Sequence, residues 1–269
     1  MNHGTTSQAQ SVLTVATYNI HGCINVFGRE NPSAVARVVD AVHADVVALQ
    51  EVDFSVSQNG TTPCNQAQWI GELLNMRHRF YALRPSRRGA FGLGLLSKVP
   101  LSFMKTGVLS KASDGPVREP RGAMWYRLQT RHGEVSLINT HLSLRRQDRL
   151  RQIDDLMSQA WIGGLPAEEP VILCGDLNAG VRSPVYRVLT SRYSDVQLQT
   201  GQKGYPRRTF LSYRPFRRLD HIFVSLHLRI VAVEVPRSRE ARTASDHLPV
   251  CAQLIRSSNG YSHGSMHYR

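Results

Sequence analysis

Acidic residues are scarce in this chain: its 269 residues hold 20 aspartates and glutamates against 33 lysines and arginines, for a formal net charge of +13. Such a surface attracts polyanions and speeds encounters with them. Long apolar runs are missing too, since no stretch reaches the ~18 residues that a membrane-spanning helix requires. The opening MNHGTTSQAQ is polar, and no apolar signal-peptide core follows it. These absences predict a soluble, monomeric, cytoplasmic protein that its charge could hold peripherally at a membrane. Cysteine is limited to Cys23, Cys64, Cys174 and Cys251, with no CxxC pair. That spacing argues against a zinc clamp and suits free thiols in a reducing compartment. Neither a GxSxG elbow nor a GxxxxGK[ST] loop occurs, so no serine nucleophile or P-loop is indicated.

What is present is enough for one domain with a sizeable core, given a hydrophobic fraction of 41%. The polar ends set its limits: flexible tails over residues 1–10 and 257–269, and a single catalytic domain over 11–256. SVLTVATYNI and DVVALQEV read as strands on either side of a helix. Asn31 caps that helix and Pro32 starts it, with Val35, Val38, Val39 and Val42 on one face. A second helix, NQAQWIGELLNM, precedes five short strands, RFYAL, FGLGLLSK, LSFMKTGVL, GAMWYRLQT and EVSLINTHL, whose alternation predicts antiparallel sheet. The pattern then repeats, with a helix from Arg146 to Ala160, the apolar strand PVILCGDLNA, a short helix from Ser183 to Leu189, and the strands RLDHIFVS, LRIVAVEV and HLPVCAQLI. Alternation of this kind in both halves predicts packed sheets with helices outside and a cleft at one edge.

Six separate apolar strands run into polar groups: Asn19, Glu51, His141, Asp176 with Asn178, Asp220 with His221, and Asp246 with His247. One such ending is ordinary. Six from distant parts of the chain indicate converging strand ends, which is how α/β folds assemble sites. Carboxylates and amides without clustered thiols are hard oxygen donors, suited to Mg²⁺ or Mn²⁺, and Glu51 is the best candidate for a direct ligand. The remaining histidines and carboxylates supply a base, a proton donor and phosphate contacts, the set that phosphoester hydrolysis needs.

The ordered motifs YNIHG, LQEVD, GLLS, NTHL, GDLN, RLDHIFVS and SDHLPV, running from residue 18 to residue 250, resemble the endonuclease/exonuclease/phosphatase superfamily. That group includes DNase I, AP endonucleases, neutral sphingomyelinases and inositol polyphosphate 5-phosphatases. The resemblance is to small bacterial members of unassigned substrate, some associated with phospholipid-processing enzymes. It implies a four-layer α/β/β/α sandwich of two packed, mainly antiparallel sheets flanked by helices. It also implies a metal held at Glu51, with Asp246 beside it, and catalytic roles for His141, Asp176, Asn178, Asp220 and His247. Asn19, His21, Arg121 and Arg218 are the candidate phosphate contacts. NTHL in place of an aromatic–asparagine group, and His21 in place of an aspartate, count against abasic-site repair.

The activity this suggests is a Mg²⁺- or Mn²⁺-dependent phosphodiesterase acting on nucleic acid or an anionic phospholipid surface. Two alternatives stand beside it: a phosphomonoesterase drawing on Arg121, Arg145 or Arg218, and a non-catalytic polyanion-binding module. In GYPRRTFLSYRPFRRLD, Tyr205, Phe210, Tyr213 and Phe216 interleave with Arg207, Arg208, Arg214, Arg217 and Arg218. These rings could stack bases or meet a lipid interface, or Phe210 and Tyr213 could pack beneath the loop.

Overall fold

Residues 12–56, 63–87, 89–111, 119–131 and 133–257 are described by the structure, a computed structural model. The expected tails lie outside this range except for residue 257, as does Arg88. In order the chain forms β1 (Leu13–Asn19), α1 (Pro32–Ala41), β2 (Val46–Val52), β3 (Phe54–Val56), β4 (Pro63–Asn65), α2 (Gln66–Leu73), β5 (Arg77–Ser86), β6 (Gly89–Ser97) and β7 (Leu101–Val108). It continues through β8 (Gly122–Thr130), β9 (Gly133–His141), α3 (Arg146–Leu156), β10 (Val171–Asp176), α4 (Pro184–Thr190), β11 (Ser194–Asp195), α5 (Val196–Gln199), β12 (Asp220–Val224), β13 (Leu228–Glu234), α6 (Ala241–Ala244) and β14 (Val250–Arg256).

Two β-α-β crossings organise these elements. In one, β1 and β2 lie parallel with α1 between them in sequence, and in the other β9 and β10 lie parallel around α3. Antiparallel strands extend each pair into a six-stranded sheet, in the orders β13-β14-β1-β2-β6-β5 and β11-β12-β10-β9-β8-β7. The four central strands are buried along most of their length because each is covered on both faces, by the opposite sheet and by helices. β2 and β10 are buried almost throughout, whereas edge strand β5 alternates in exposure. Val15, Leu49, Leu137 and Ile172 meet between the sheets in one core, which also takes Val35 and Val39 of α1 and Ile70 of α2. A second core lies outside the other sheet, where Ile153 and Leu156 of α3 and Val185 and Leu189 of α4 pack on Leu173 and Phe223. The layers are therefore helix, sheet, sheet, helix, as the motif order implied.

Local starts follow their signals. The Asn31 side chain accepts from Ala34 N at 3.0 Å and Pro32 opens α1. α3 ends at Leu156, short of the expected Ala160, where Ser158 Oγ donates to Asp155 O at 2.6 Å and turns the chain. The hairpin β3–β4 and the short β11, α5 and α6 carry too few residues to show a period in sequence. All four cysteines are free. Among the described residues no helix is long and apolar enough to cross a membrane.

One buried polar bridge ties the sheets together. Gln50 Nε2 donates to Asn139 Oδ1 at 2.8 Å, and Asn139 Nδ2 donates to the carbonyls of Leu49 and Gly94, both at 2.9 Å. The bridge sits where the β2–β6 ladder shifts register, between Leu49 and Val52. Asn139→Leu would leave two buried carbonyls without a donor, and the expected cost is roughly 2–4 kcal/mol in urea unfolding. A change under about 0.5 kcal/mol, the usual range for sites without such features, would mean the bridge is dispensable.

Candidate active site

Parallel crossings bring the C-terminal ends of β1, β2, β9 and β10 to the same edge. The antiparallel β12 and β14 begin at that edge, so their first residues arrive beside those ends. The register makes this concrete: Asp176 lies opposite His141 on one side and Asp220 on the other. His247 and Asp246 come just before β14, next to the end of β1, where Ser245 Oγ donates to Asn19 O at 2.8 Å.

Backbone strain collects at this edge. Glu51 has φ +57°, Asn178 +47° and His21 +50°, values that non-glycine residues rarely adopt. For Glu51 the cause is the register shift in β2, a bulge that re-aims its carboxylate out of the ladder. Strain of this kind persists where the surroundings over-determine it, and it favours functional sites.

The side chains form a continuous network. Asn19 Oδ1 accepts from His21 N at 3.0 Å, which fixes the amide so that Nδ2 donates to both Glu51 Oε1 and Asp176 Oδ2, each at 3.0 Å. Asp176 Oδ1 accepts from Asn178 N at 2.9 Å. His247 Nδ1 meets Asp220 Oδ2 at 2.8 Å, and its Nε2 faces Asp176 Oδ2 at 3.7 Å. Thr209 Oγ1 donates to the same Asp220 oxygen at 2.5 Å. The Phe210 ring lies against the imidazole, with centroids 4.9 Å apart. His141 is approached by two donors, Arg121 Nη1 at 2.8 Å from Nδ1 and Asn178 Nδ2 at 3.0 Å from Nε2, with Asp176 Oδ2 at 3.5 Å from Nε2.

These contacts separate the two histidines electrostatically. Burial opposes charge on His247, but Asp220 and Asp176 outweigh it and raise its pKa to about 10. Burial, with the cations Arg121 and His247 nearby, holds His141 well below the usual histidine range. His247 is therefore an imidazolium and His141 a neutral ring, whose one unprotonated nitrogen can accept from one of the two flanking donors. Burial also raises Asp176 above the usual carboxylate range, opposed by His247 and assisted by Asp220.

Because His247 binds its proton more tightly when folded, its stabilising contribution is complete below the unfolded pKa of ~6.5 and is lost as pH rises through about 10. In metal-free protein, the stability gap between wild type and His247→Gln is expected to narrow steadily across that window. A pH-independent gap in denaturant titrations would contradict the imidazolium assignment.

Two groupings bring donor atoms within 4.8 Å of one another: Glu51, His141 and Asp176, and Asp176, Asp220 and His247. The second set is drawn together by the contact of His247 Nδ1 with Asp220 Oδ2 at 2.8 Å, and it shares Asp176 with the first. The first set fits a hard divalent ion, because half-buried Glu51 and buried Asp176 present carboxylate oxygens already aligned by one amide.

The structure thus brings together Asn19, Glu51, His141, Asp176, Asn178, Asp220, His247 and Arg121. It places four others differently from the sequence reading. Arg218 is buried and its Nη2 grips both carboxylate oxygens of Asp195, so it does not reach into this network. Asp246, read as a metal ligand, belongs to neither grouping, and its Oδ1 lies 3.7 Å from His21 Nδ1. His21 acts on the network through its backbone N–H, while its ring turns to Ile24 O at 3.1 Å. His221 is a core residue, stacked on Phe223 and bonded to Ala179 O at 3.0 Å. Thr209 and Asn139 were missed: a lone threonine in an arginine-rich loop gives no signal, whereas the asparagine of NTHL sat inside a motif already noticed.

Fold and site together define a phosphoester hydrolase of the four-layer sandwich type. The chain belongs to the Endonuclease/Exonuclease/phosphatase family, whose model matches residues 16–247. Members of that family are generally dependent on divalent metal ions. A search of curated proteins gives no match. Solved structures similar to it include an endonuclease/exonuclease/phosphatase from Beutenbergia cavernae DSM 12333, at 22% identity and TM-score 0.73, covering 91% of this chain and 72% of that one. A mannosyl-6-phosphatase from Bacteroides thetaiotaomicron VPI-5482 shares 22% identity at TM-score 0.70, with 90% and 99% of the two chains covered. The human Nocturnin catalytic domain with bound sulfate shares 19% identity at TM-score 0.71, covering 93% and 97%.

Proposed function

We propose that the protein is a Mg²⁺- or Mn²⁺-dependent phosphodiesterase that cleaves a polyanionic substrate, a nucleic acid or an anionic phospholipid, by attack of water. The observation that carries this reading is the line of Asp220, His247 and Asp176 beside Glu51, which puts a proton donor and a proton acceptor at one carboxylate-lined edge. A bound ion, held by Glu51 and Asp176, would polarise the phosphoryl group and acidify water. Asp176, oriented by the Asn19 amide and the Asn178 N–H, takes the proton of the attacking water. His247, kept charged and oriented by Asp220, gives its Nε2 proton to the leaving oxygen as the P–O bond breaks. The 3.7 Å between Asp176 Oδ2 and His247 Nε2 then lets the proton return and resets the pair. Asn178 Nδ2 and Arg121, on either side of neutral His141, are placed to stabilise charge growing on nonbridging oxygens.

A second reading, phosphomonoesterase, is favoured by the similarity to a mannosyl-6-phosphatase and by the buried cation Arg121 beside the site. Bis(p-nitrophenyl) phosphate and p-nitrophenyl phosphate, assayed with Mg²⁺, Mn²⁺ or EDTA, separate the two. Diester turnover that EDTA abolishes is expected, and Glu51→Gln should lower kcat/KM about a hundredfold at limiting Mg²⁺. Cleavage of the monoester alone would move the assignment to a phosphomonoesterase. Turnover of neither ester by folded protein would sink both readings.

A further inference from the structure

Next to the catalytic edge, on the far side of Asn178, lies an open cavity of about 670 Å³. Its lining includes six arginines, Arg149, Arg182, Arg207, Arg208, Arg217 and Arg218, and no carboxylate. Arg218 has Asp195 as its counter-charge, while the other five guanidinium groups repel one another and lower the affinity for protons. Arg149 shows this, its pKa depressed by burial first and then by Arg146 and Arg217.

The two deeper guanidinium groups are also short of partners. Arg218, 7% exposed, spends Nη2 on Asp195 while its Nε and Nη1 meet no acceptor. Arg149 gives Nη1 to the carbonyls of Ser143 and Leu144, and its buried Nε meets none. Unpaired buried donors on positive side chains are costly, and a ligand that supplies oxygen acceptors removes that cost. Arg182 and Arg217 stand exposed at the mouth.

We propose that this pocket is a second anion subsite, which holds a phosphate group of the substrate other than the one being hydrolysed. Asn178 is shared between the pocket and the His141–Asp176 network, so a molecule occupying both places spans a short distance. The inference rests on the phosphodiesterase reading and narrows its substrates to esters that carry a further phosphate nearby. Arg218, read from sequence as a phosphate contact, lines this pocket and pairs with Asp195 instead of joining the catalytic network.

Two substrates that differ by one group test the assignment: thymidine 5′-(p-nitrophenyl phosphate) and its 3′-phosphorylated form. Wild type with Mg²⁺ is expected to favour the 3′-phosphorylated ester about tenfold in kcat/KM, through KM, the value of one good charge-assisted contact. In the double variant Arg182→Ser, Arg217→Ser that ratio should fall to near one. Equal use of the two esters by wild type, or a preference that survives the double variant, overturns the subsite. Calorimetry with inorganic phosphate in EDTA reads the pocket without turnover, and the double variant should bind about tenfold more weakly. If neither ester is cleaved, the phosphodiesterase reading fails by itself and the calorimetry still decides the pocket. Competition by hexathymidylate against fructose 1,6-bisphosphate then tells a nucleic-acid strand from a small bisphosphate as the source of the bound group.

Discussion

Asp176→Asn is expected to reduce kcat/KM about a thousandfold while leaving the fold intact, the size of effect seen when a positioned acid–base group is lost. No other residue joins both groupings of donor atoms, since Asp176 faces His141 and His247 while accepting from Asn19 and from the Asn178 amide. Asparagine fills the same space but cannot take a proton from water, and it offers a metal one neutral oxygen. It also withdraws one of the two carboxylates that keep His247 charged, so the imidazole should titrate lower in the variant. Steady-state kinetics with a circular dichroism control would check the first consequence, and NMR titration of the ring the second. Activity within tenfold of wild type would remove Asp176 from the chemistry and leave it a scaffold for Asn19.

Gly175→Ala should be far more damaging to the fold than its single methyl suggests. Gly175 has φ +143°, and an added Cβ would lie 1.8 Å from the carbonyl oxygen of Thr140 on the neighbouring strand. That oxygen is backbone in the β9–β10 ladder, so relief requires the two central parallel strands to part. We expect a loss of at least ~4 kcal/mol, in the range reserved for strain or overpacking at a fixed backbone, or failure to fold. Gly180→Ala is the matched control, because nothing lies within 4 Å of its added carbon. Similar melting temperatures for the two variants would show that the strands can separate cheaply.

Much of this was legible beforehand, and the reasons are physical. Apolar runs marked β2 and β10 because strands covered on both faces need them, β-branched residues marked β1 and alternation marked β9, and each led into the polar residue it delivers. Convergence of those ends was read from the alternation of helices and strands in both halves, whereas the parallel pairing of β1 with β2 and of β9 with β10 was not. Contacts set by a bulge or by the packing of two sheets could not be read, because they depend on which side chain faces an interface. Asn139 and Gln50 bridge the sheets for that reason, and nothing in INTHL or LQEVD marks either as buried. Arg218 shows the reverse error: a row of arginines suggests one basic surface, yet a neighbouring buried aspartate selected one member and drew it inward. The loop aromatics also divided, with Phe210 against His247 and Tyr213 exposed, although both had similar neighbours in sequence.

The division of the site between the two sheets has a consequence for how the domain is put together. Asn19, Glu51 and His247 come with one sheet, whereas His141, Asp176, Asn178 and Asp220 come with the other. The bonds from Asn19 to Asp176 and from His247 to Asp220 therefore cross the seam. Neither sheet holds the whole set, and the candidate site comes into being only when the two sheets close on each other. The contacts of the candidate site then act as rivets, so a slip of about one ångström between the layers would part them together and disrupt the site before the domain unfolds.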